Sequence, residues 1–239
     1  MNKRFFTIKE SLQLDFSLNP SVCSSTIVFG IVGGIGSGKS FTTAEFVAQG
    51  AVWFDADQEA KRLYDKPEII AEMKKYWDNV VDAHRQVDRQ TLAQIIFAPT
   101  LEGAQARERL SEIIRPYLLK TFVSWLNQRK EEGCEFVVLD APLLFEARWD
   151  SFVNYVVFVD ASEETRLRRI AARGWTADEL KKREACQLAL SIKKERSDFI
   201  VTADQDNSQM EIQVAKILDE VRRIRSAPDP KSSANKRDL

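Results

Sequence analysis

Histidine is nearly missing from this 239-residue chain: His84 is the single one. One imidazole supports no multi-histidine metal site, and a Ser-His-Asp hydrolase would have to work through that residue alone. Its neighbours in Asp82-Ala83-His84-Arg85 are polar, which reads as surface. Cysteine is scarce as well. Cys23, Cys134 and Cys186 are odd in number and widely spaced, with no CxxC pair, which argues against a disulfide framework or zinc site and fits a reducing, cytoplasmic setting. No apolar run approaches the roughly 18 residues of a spanning helix. The basic Asn2-Lys3-Arg4 is too far from the first apolar stretch, at Ile27, to form a signal peptide, so no membrane partner is expected. Nor does one sign of charge dominate. The 35 Lys and Arg against 36 Asp and Glu leave a net charge of −1, unlike a general nucleic-acid binder. Internal repeats are also missing.

Apolar residues at 44% and charged residues at 30% describe an ordinary globular chain, and the length fits one to two domains. Residues 1–26 form an N-terminal extension, open to reading as a short extra element or an arm; Glu10 and Asp15 are unlike an acid-poor transit peptide. Residues 226–239 read as a disordered tail. Between them strands alternate with helices. Ile27 to Val32, Ala51 to Phe54, Phe136 to Leu139, Tyr155 to Val159 and Phe199 to Val201 are short β-branched or aromatic runs suited to buried parallel strands. Helices fill the gaps. One is expected over Lys39 to Gln49 with Gly50 as its terminator. Ser162 precedes Glu163 and Glu164, and Thr176 to Glu179 and Ser208 to Glu211 fit capping boxes. The interval 58–133 contains no convincing strand. It reads as several helices, with Pro116 bending or separating two of them.

Gly33-Gly34-Ile35-Gly36-Ser37-Gly38-Lys39-Ser40 matches G-x-x-x-x-G-K-[ST] between a predicted strand and a predicted helix, the context that motif requires. Its glycines let successive N–H groups turn into one cavity, and the following helix adds its positive end. The phosphate cradle is expected over Gly34, Ile35, Gly36, Ser37, Gly38, Lys39, Ser40 and Phe41. Lys39 supplies charge for the β- and γ-phosphates, and Ser40 offers a hydroxyl to Mg²⁺. The expected fold is therefore α/β: a P-loop NTPase-type parallel five-stranded sheet flanked by helices. The core is 27–57 and 134–225, and 58–133 is a helical insertion.

Asp140 closes the third strand, where an acid can hold Mg²⁺ directly or through water; its alternative is a turn acid ahead of Pro142. Asp55 and Asp57 follow the second strand. A kinase acting on a hydroxyl needs a carboxylate near it, and the other acid would cap the helix beginning near Gln58. The residues alone do not say which does which. Arg166, Arg169 and Arg173 share one helical face, with Arg168 beside it. The face is either a lid over phosphates, spanning about 162–197, or a solvated surface. Asn235-Lys236-Arg237-Asp238 imitates a guanine-reading motif, but no D-x-x-G accompanies it, and it is set aside as chance. Trp175 is read as core packing rather than a nucleotide contact.

Taken together these residues resemble the dephospho-coenzyme A kinase family. The resemblance is carried by the loop Gly33 to Ser40, by Asp55-Ala56-Asp57, by Pro142-Leu143-Leu144-Phe145-Glu146, and by Ser162 to Arg173 followed by Gln187 and Ser197-Asp198-Phe199-Ile200-Val201. It covers roughly residues 27 to 222. It implies ATP-dependent phosphorylation of the ribose 3′-hydroxyl of dephospho-CoA, giving CoA and ADP, the last step of coenzyme A biosynthesis. Related alternatives are a P-loop kinase for another small hydroxyl or nucleotide, or a nucleotide-binding module impaired in catalysis. By the resemblance, Lys39, Asp57 and Arg169 are catalytic, Asp57 as base or hydroxyl-orienting acid. Arg169 and Arg173 would lie on the ATP phosphates, and the insertion would bind the acceptor. A monomer or weak oligomer is expected. The chain departs from the family pattern at Val32, where Thr is usual, and at Arg115-Pro116, where His-Pro is usual.

Overall fold

The computed structural model describes residues 26–226 apart from 83, 85, 205 and 206. Cys23, the extension through residue 25, the guanine-reading look-alike and the tail from 227 lie outside the described residues. Ser226, assigned to the tail by its composition, instead ends a helix and donates its hydroxyl to the Arg223 carbonyl at 3.1 Å.

Five strands form one parallel sheet in the order β2-β3-β1-β4-β5. They are β1 (Ile27–Gly33), β2 (Val52–Asp55), β3 (Phe136–Asp140), β4 (Tyr155–Asp160) and β5 (Phe199–Thr202). A parallel strand in the centre of such a sheet is covered on both faces, which is why these runs are continuously apolar rather than alternating. The side-chain period of two still divides them. Val28, Val32, Val137, Leu139, Val156 and Phe158 enter one core, and Phe29, Ile31, Phe136, Val138, Val157 and Val159 enter the other.

The second core is closed by α1 (Lys39–Ala48) and α9 (Asn207–Ser226), through Phe46, Met210, Val214, Leu218 and Val221. Because α9 begins at Asn207, Ser208 lies inside the helix rather than capping it. The first core is closed by the segment between β2 and β3: α2 (Ala56–Leu63), α3 (Pro67–Lys74), α4 (Arg89–Ile96) and α5 (Leu101–Glu131). Among the described residues an isolated antiparallel bridge, Val81 to Val87, lies in the connection just ahead of α4.

Pro116 does not separate two helices. It lies inside α5, which runs unbroken for 31 residues. Proline removes one backbone donor and crowds the preceding turn, but Ile113, Ile114, Leu118 and Leu119 on either side are all buried. At roughly 1.5–3 kcal/mol per buried aliphatic side chain, those four outweigh a proline cost of about 3 kcal/mol. Farther along, Phe122 is fully buried and meets Phe54 at 5.0 Å and Trp149 at 5.6 Å between ring centroids. This pins α5 to the sheet.

Three further helices follow β4: α6 (Glu163–Ala171), α7 (Ala177–Glu184) and α8 (Leu190–Glu195). Ser162 caps α6 by accepting the Thr165 N–H, and Thr176 with Glu179 completes the capping box of α7. Among the described residues no helix is long and apolar enough to cross a membrane.

Candidate active site

The sheet register sets the site. Ile31 and Asp55 both pair with Asp140, so the loop after β1, the end of β2 and the end of β3 open on one carboxyl edge. β1 is central, with β3 on one side and β4 on the other, and that reversal is where open α/β sheets hold ligands.

The loop between β1 and α1 turns on glycine. Gly36 has φ 77°, and a Cβ there would lie 2.9 Å from the Arg166 carbonyl oxygen; Gly38 has φ 106°. No side chain caps α1, so its leading N–H groups stay available to an anion, which the helix dipole also favours. Lys39 folds back over the loop, and its Nζ donates to Gly33 O at 3.1 Å and Gly34 O at 2.9 Å. Ser40 is exposed at the helix start, Ser37 is buried with an unpartnered Oγ, Ile35 is half-buried, and the half-buried Phe41 packs against the second core.

The two acids after β2 are distinguished by the backbone. Asp55 has extended backbone geometry and its Oδ1 accepts the Gln58 N–H at 2.8 Å, which makes it the cap of α2. Asp57 lies one step into that helix, and the capping bond is made by Asp55 instead. Asp57, Asp140 and Lys39 influence one another electrostatically. Burial lowers the Lys39 ammonium to about 8, with Lys193 and Arg173 lowering it further against Asp140 and Asp57. Burial raises Asp140 to about 6; Lys39 opposes this, and Asp55 and Asp57 add to it. Asp57 is also raised, by burial and then by Asp55, against Lys61 and Lys39. Asp57 is itself exposed, so the protein packed around it rather than a sealed pocket is the cause. Carboxylates pushed up and an ammonium pushed down mark a place where charge is held at a cost, as functional sites do.

The arginine face is not simply solvated. Arg166 is buried, ion-paired with Glu184 and packed against Gly34. Arg169 donates to Ser37 O at 2.7 Å, Gly36 O at 3.3 Å and Ala203 O at 2.6 Å. It therefore grips loop carbonyls, and its guanidinium bridges the loop to the end of β5. Arg173 and Arg168 are exposed. Trp175, expected to pack in the core, joins neither core and is half-buried; its partner is a cation. Arg183 lies between it and Phe97, at 4.2 Å and 4.5 Å from the two rings. That sandwich ties the segment after β4 to the end of α4. Of the family departures, Val32 is fully buried in the first core, and Arg115 donates to Ser111 Oγ at 3.1 Å.

Sequence reasoning missed Lys193. This lysine on α8 is fully buried and its charge is felt at Lys39. Its partner Glu146 ends the Pro142 to Glu146 motif, which was the signal available. A cavity of about 630 Å³ also opens on the segment 58–133, beside Trp77, Glu102, Gln105 and Arg109. It shares no lining residue with the loop or the acids, so it is not the reaction centre. Among the described residues no group of three or more His, Cys, Asp or Glu side chains is arranged to hold a metal by itself.

Comparisons with known proteins agree on one family. The family profile described as dephospho-CoA kinase matches residues 27–209. A dephospho-CoA kinase of Enterococcus faecalis is 33% identical over 198 residues, covering 82% of this chain and 97% of the relative. One from Arabidopsis thaliana is 29% identical, covering 82% and 84%. A crystal structure from Thermus thermophilus superposes with a TM-score of 0.71 at 27% identity, covering 82% of this chain and 98% of the other. A shikimate kinase from Acinetobacter baumannii, at 15% identity and TM-score 0.51, shares the fold alone.

Proposed function

The chain belongs to the dephospho-CoA kinase family, and from that premise we propose how its own residues move the γ-phosphoryl group of ATP to the ribose 3′-hydroxyl of dephospho-CoA. The reading is carried by one juxtaposition: the glycine-turned loop ending in Lys39 shares a carboxyl edge with Asp57 and Asp140.

ATP binds with its phosphates over the loop N–H groups and the uncapped start of α1. Lys39 leaves the Gly33 and Gly34 carbonyls for the β- and γ-oxygens. The acceptor hydroxyl lies beside Asp57. As the 3′-oxygen bonds to the γ-phosphorus, the bond from that phosphorus to the β,γ-bridging oxygen breaks in line and ADP leaves with that electron pair. The hydroxyl proton passes to the Asp57 carboxylate. A carboxyl raised above its ordinary range is a better proton acceptor than a free aspartate. There is no covalent enzyme intermediate; positioning and charge neutralisation supply the rate.

Ser40 and Asp140 present hard oxygen donors at the same edge, the donor type that Mg²⁺ takes, and burial together with the neighbouring Asp55 and Asp57, which raise Asp140, leaves a carboxylate that a cation would stabilise. When bound, Mg²⁺ neutralises charge on the β- and γ-phosphates. Arg173 reaches the phosphates from the surface, while Arg169 holds the loop in shape through its carbonyl contacts. The insertion 58–133 faces the acceptor, since α2 starts directly after Asp55. The residues given roles here need no contribution from a second copy, in keeping with a monomer or weak oligomer, and the scarcity of cysteine in the sequence is in keeping with a reducing cytoplasm.

The test is an acceptor screen with ADP release as the signal. The full chain with ATP and Mg²⁺ should release ADP rapidly with dephospho-CoA and at background with shikimate, gluconate or nucleoside monophosphates. Preference for any of those would replace the acceptor assignment. ATP binding with no acceptor-dependent ADP release would favour an impaired module.

A further inference from the structure

Lys193 is the one lysine counted among the fully buried side chains of the described residues. Taking an ammonium out of water costs several kcal/mol unless each N–H finds a partner. Here the charge is ion-paired and two further oxygens accept from it. Nζ meets Glu146 Oε1 at 2.9 Å, Gln187 Oε1 at 3.1 Å and the Pro142 carbonyl at 3.2 Å. Glu146 Oε1 also accepts the Leu188 N–H at 2.8 Å.

These partners come from two parts of the chain. Pro142 and Glu146 belong to the turn leaving β3, two residues past Asp140. Gln187, Leu188 and Lys193 belong to the segment that follows the arginines of α6. A well-packed apolar side chain would stabilise the same junction equally well, because buried ion pairs seldom add net stability. What an apolar residue would not supply is a fixed distance and direction between the two parts.

We propose that Lys193 is a positioning residue for phosphoryl transfer, a pin that fixes the arginine-bearing segment 162–197 against the turn that directly follows Asp140. The inference rests on the reading given under Proposed function. Through Glu146 and Gln187 the pin sets the separation between the arginine side of the phosphate site and its acid side. Lys193 acts without touching either substrate, since it is fully buried and its Nζ is enclosed by Glu146, Gln187 and Pro142.

The experiment compares the full-length wild type with Lys193→Met and with the double variant Lys193→Met/Glu146→Gln, reading kcat, the Kd for ATP and Tm. The single variant strands the Glu146 carboxylate and lowers Tm. The double variant removes that stranded charge and recovers Tm toward the wild type. Both variants should lose kcat by about 10- to 10²-fold, the penalty for a reacting group misplaced by about an ångström. The Kd for ATP should stay within about threefold, because the loop itself is untouched. A purely structural role predicts that activity returns with stability. The proposal is therefore overturned if the double variant regains both Tm and kcat, or if Lys193→Met keeps wild-type kcat. A wild type inactive on dephospho-CoA would instead defeat the underlying reading, an outcome separable from either of these.

Discussion

Asp140→Asn should make this protein more stable and far less active. The Asp140 carboxyl is raised from 3.8 to about 6, chiefly because its surroundings disfavour the charged form. At 1.36 kcal/mol per pKa unit that displacement is about 3 kcal/mol of cost to the ionised fold. Water reaches the side chain in part, so this is a ceiling. Asparagine keeps the shape and discards the charge. The sign follows from the direction. A carboxyl raised in the fold takes up its proton before the unfolded chain does, so the wild type gains stability as pH falls from about 6 to about 4. Above pH 6 the cost is fully present. The Asn variant should therefore melt higher at pH 7.5 without nucleotide or Mg²⁺, by at most about 6–12 °C at roughly 2–4 °C per kcal/mol for a chain this long. Most of that lead should vanish by about pH 4, where the unfolded chain also begins to take up the proton. Its kcat should drop by about 10²-fold or more, because the charge was retained for the phosphate site. Differential scanning calorimetry at both pH values, with a turnover assay alongside, decides it. A variant that melts lower than the wild type at pH 7.5, or whose lead is the same at both pH values, would refute the reasoning.

The paired acids give a second contrast. Asp57→Asn should cost about 10²- to 10⁴-fold in kcat with ATP affinity little changed, while Asp55→Asn, which preserves a good cap, should stay within about 0.5 kcal/mol of wild-type stability and keep most activity; steady-state kinetics with urea unfolding reads both, and a reversed pattern exchanges their roles. The acid limb of kcat/KM for dephospho-CoA should lie above the ordinary aspartate range, since Asp57 is raised and must be ionised to accept a proton; a pH–rate profile that stays flat down to pH 4 would contradict this. Phe122→Ala should destabilise by about 3–5 kcal/mol, the usual cost of emptying a fully buried aromatic site, and an unfolding midpoint within 1 kcal/mol of wild type would show that α5 is anchored elsewhere.

The sheet was legible because buried parallel strands leave short β-branched runs that few other structures require, and the phosphate loop because its glycines answer to geometry. The acids were legible as a pair but not as individuals. Only the extended backbone at Asp55 and its bond to Gln58 N–H separate cap from candidate base. Pro116 misled because a local rule about proline was outweighed by burial on both sides of it. Arg169 and Lys193 were hardest to read. Helical spacing places Arg169 on a face, but not that its N–H groups reach carbonyls of the loop and of Ala203, more than thirty residues away on either side. Nothing local in Lys193 announces a buried cation; its partners Pro142 and Glu146 lie on another element.

The central claim is that the loop ending in Lys39 aims the terminal phosphate of ATP at the alcohol held beside Asp57. The most direct measurement is the structure of the product, by mass spectrometry and ³¹P NMR, after wild type and Asp57→Asn are each incubated with ATP, Mg²⁺ and dephospho-CoA. The account predicts one phosphate on the ribose 3′-oxygen for each ADP formed by the wild type, and almost none from the variant. A phosphate on any other oxygen, ADP formed by water alone, or an Asp57→Asn enzyme as fast as wild type would contradict it.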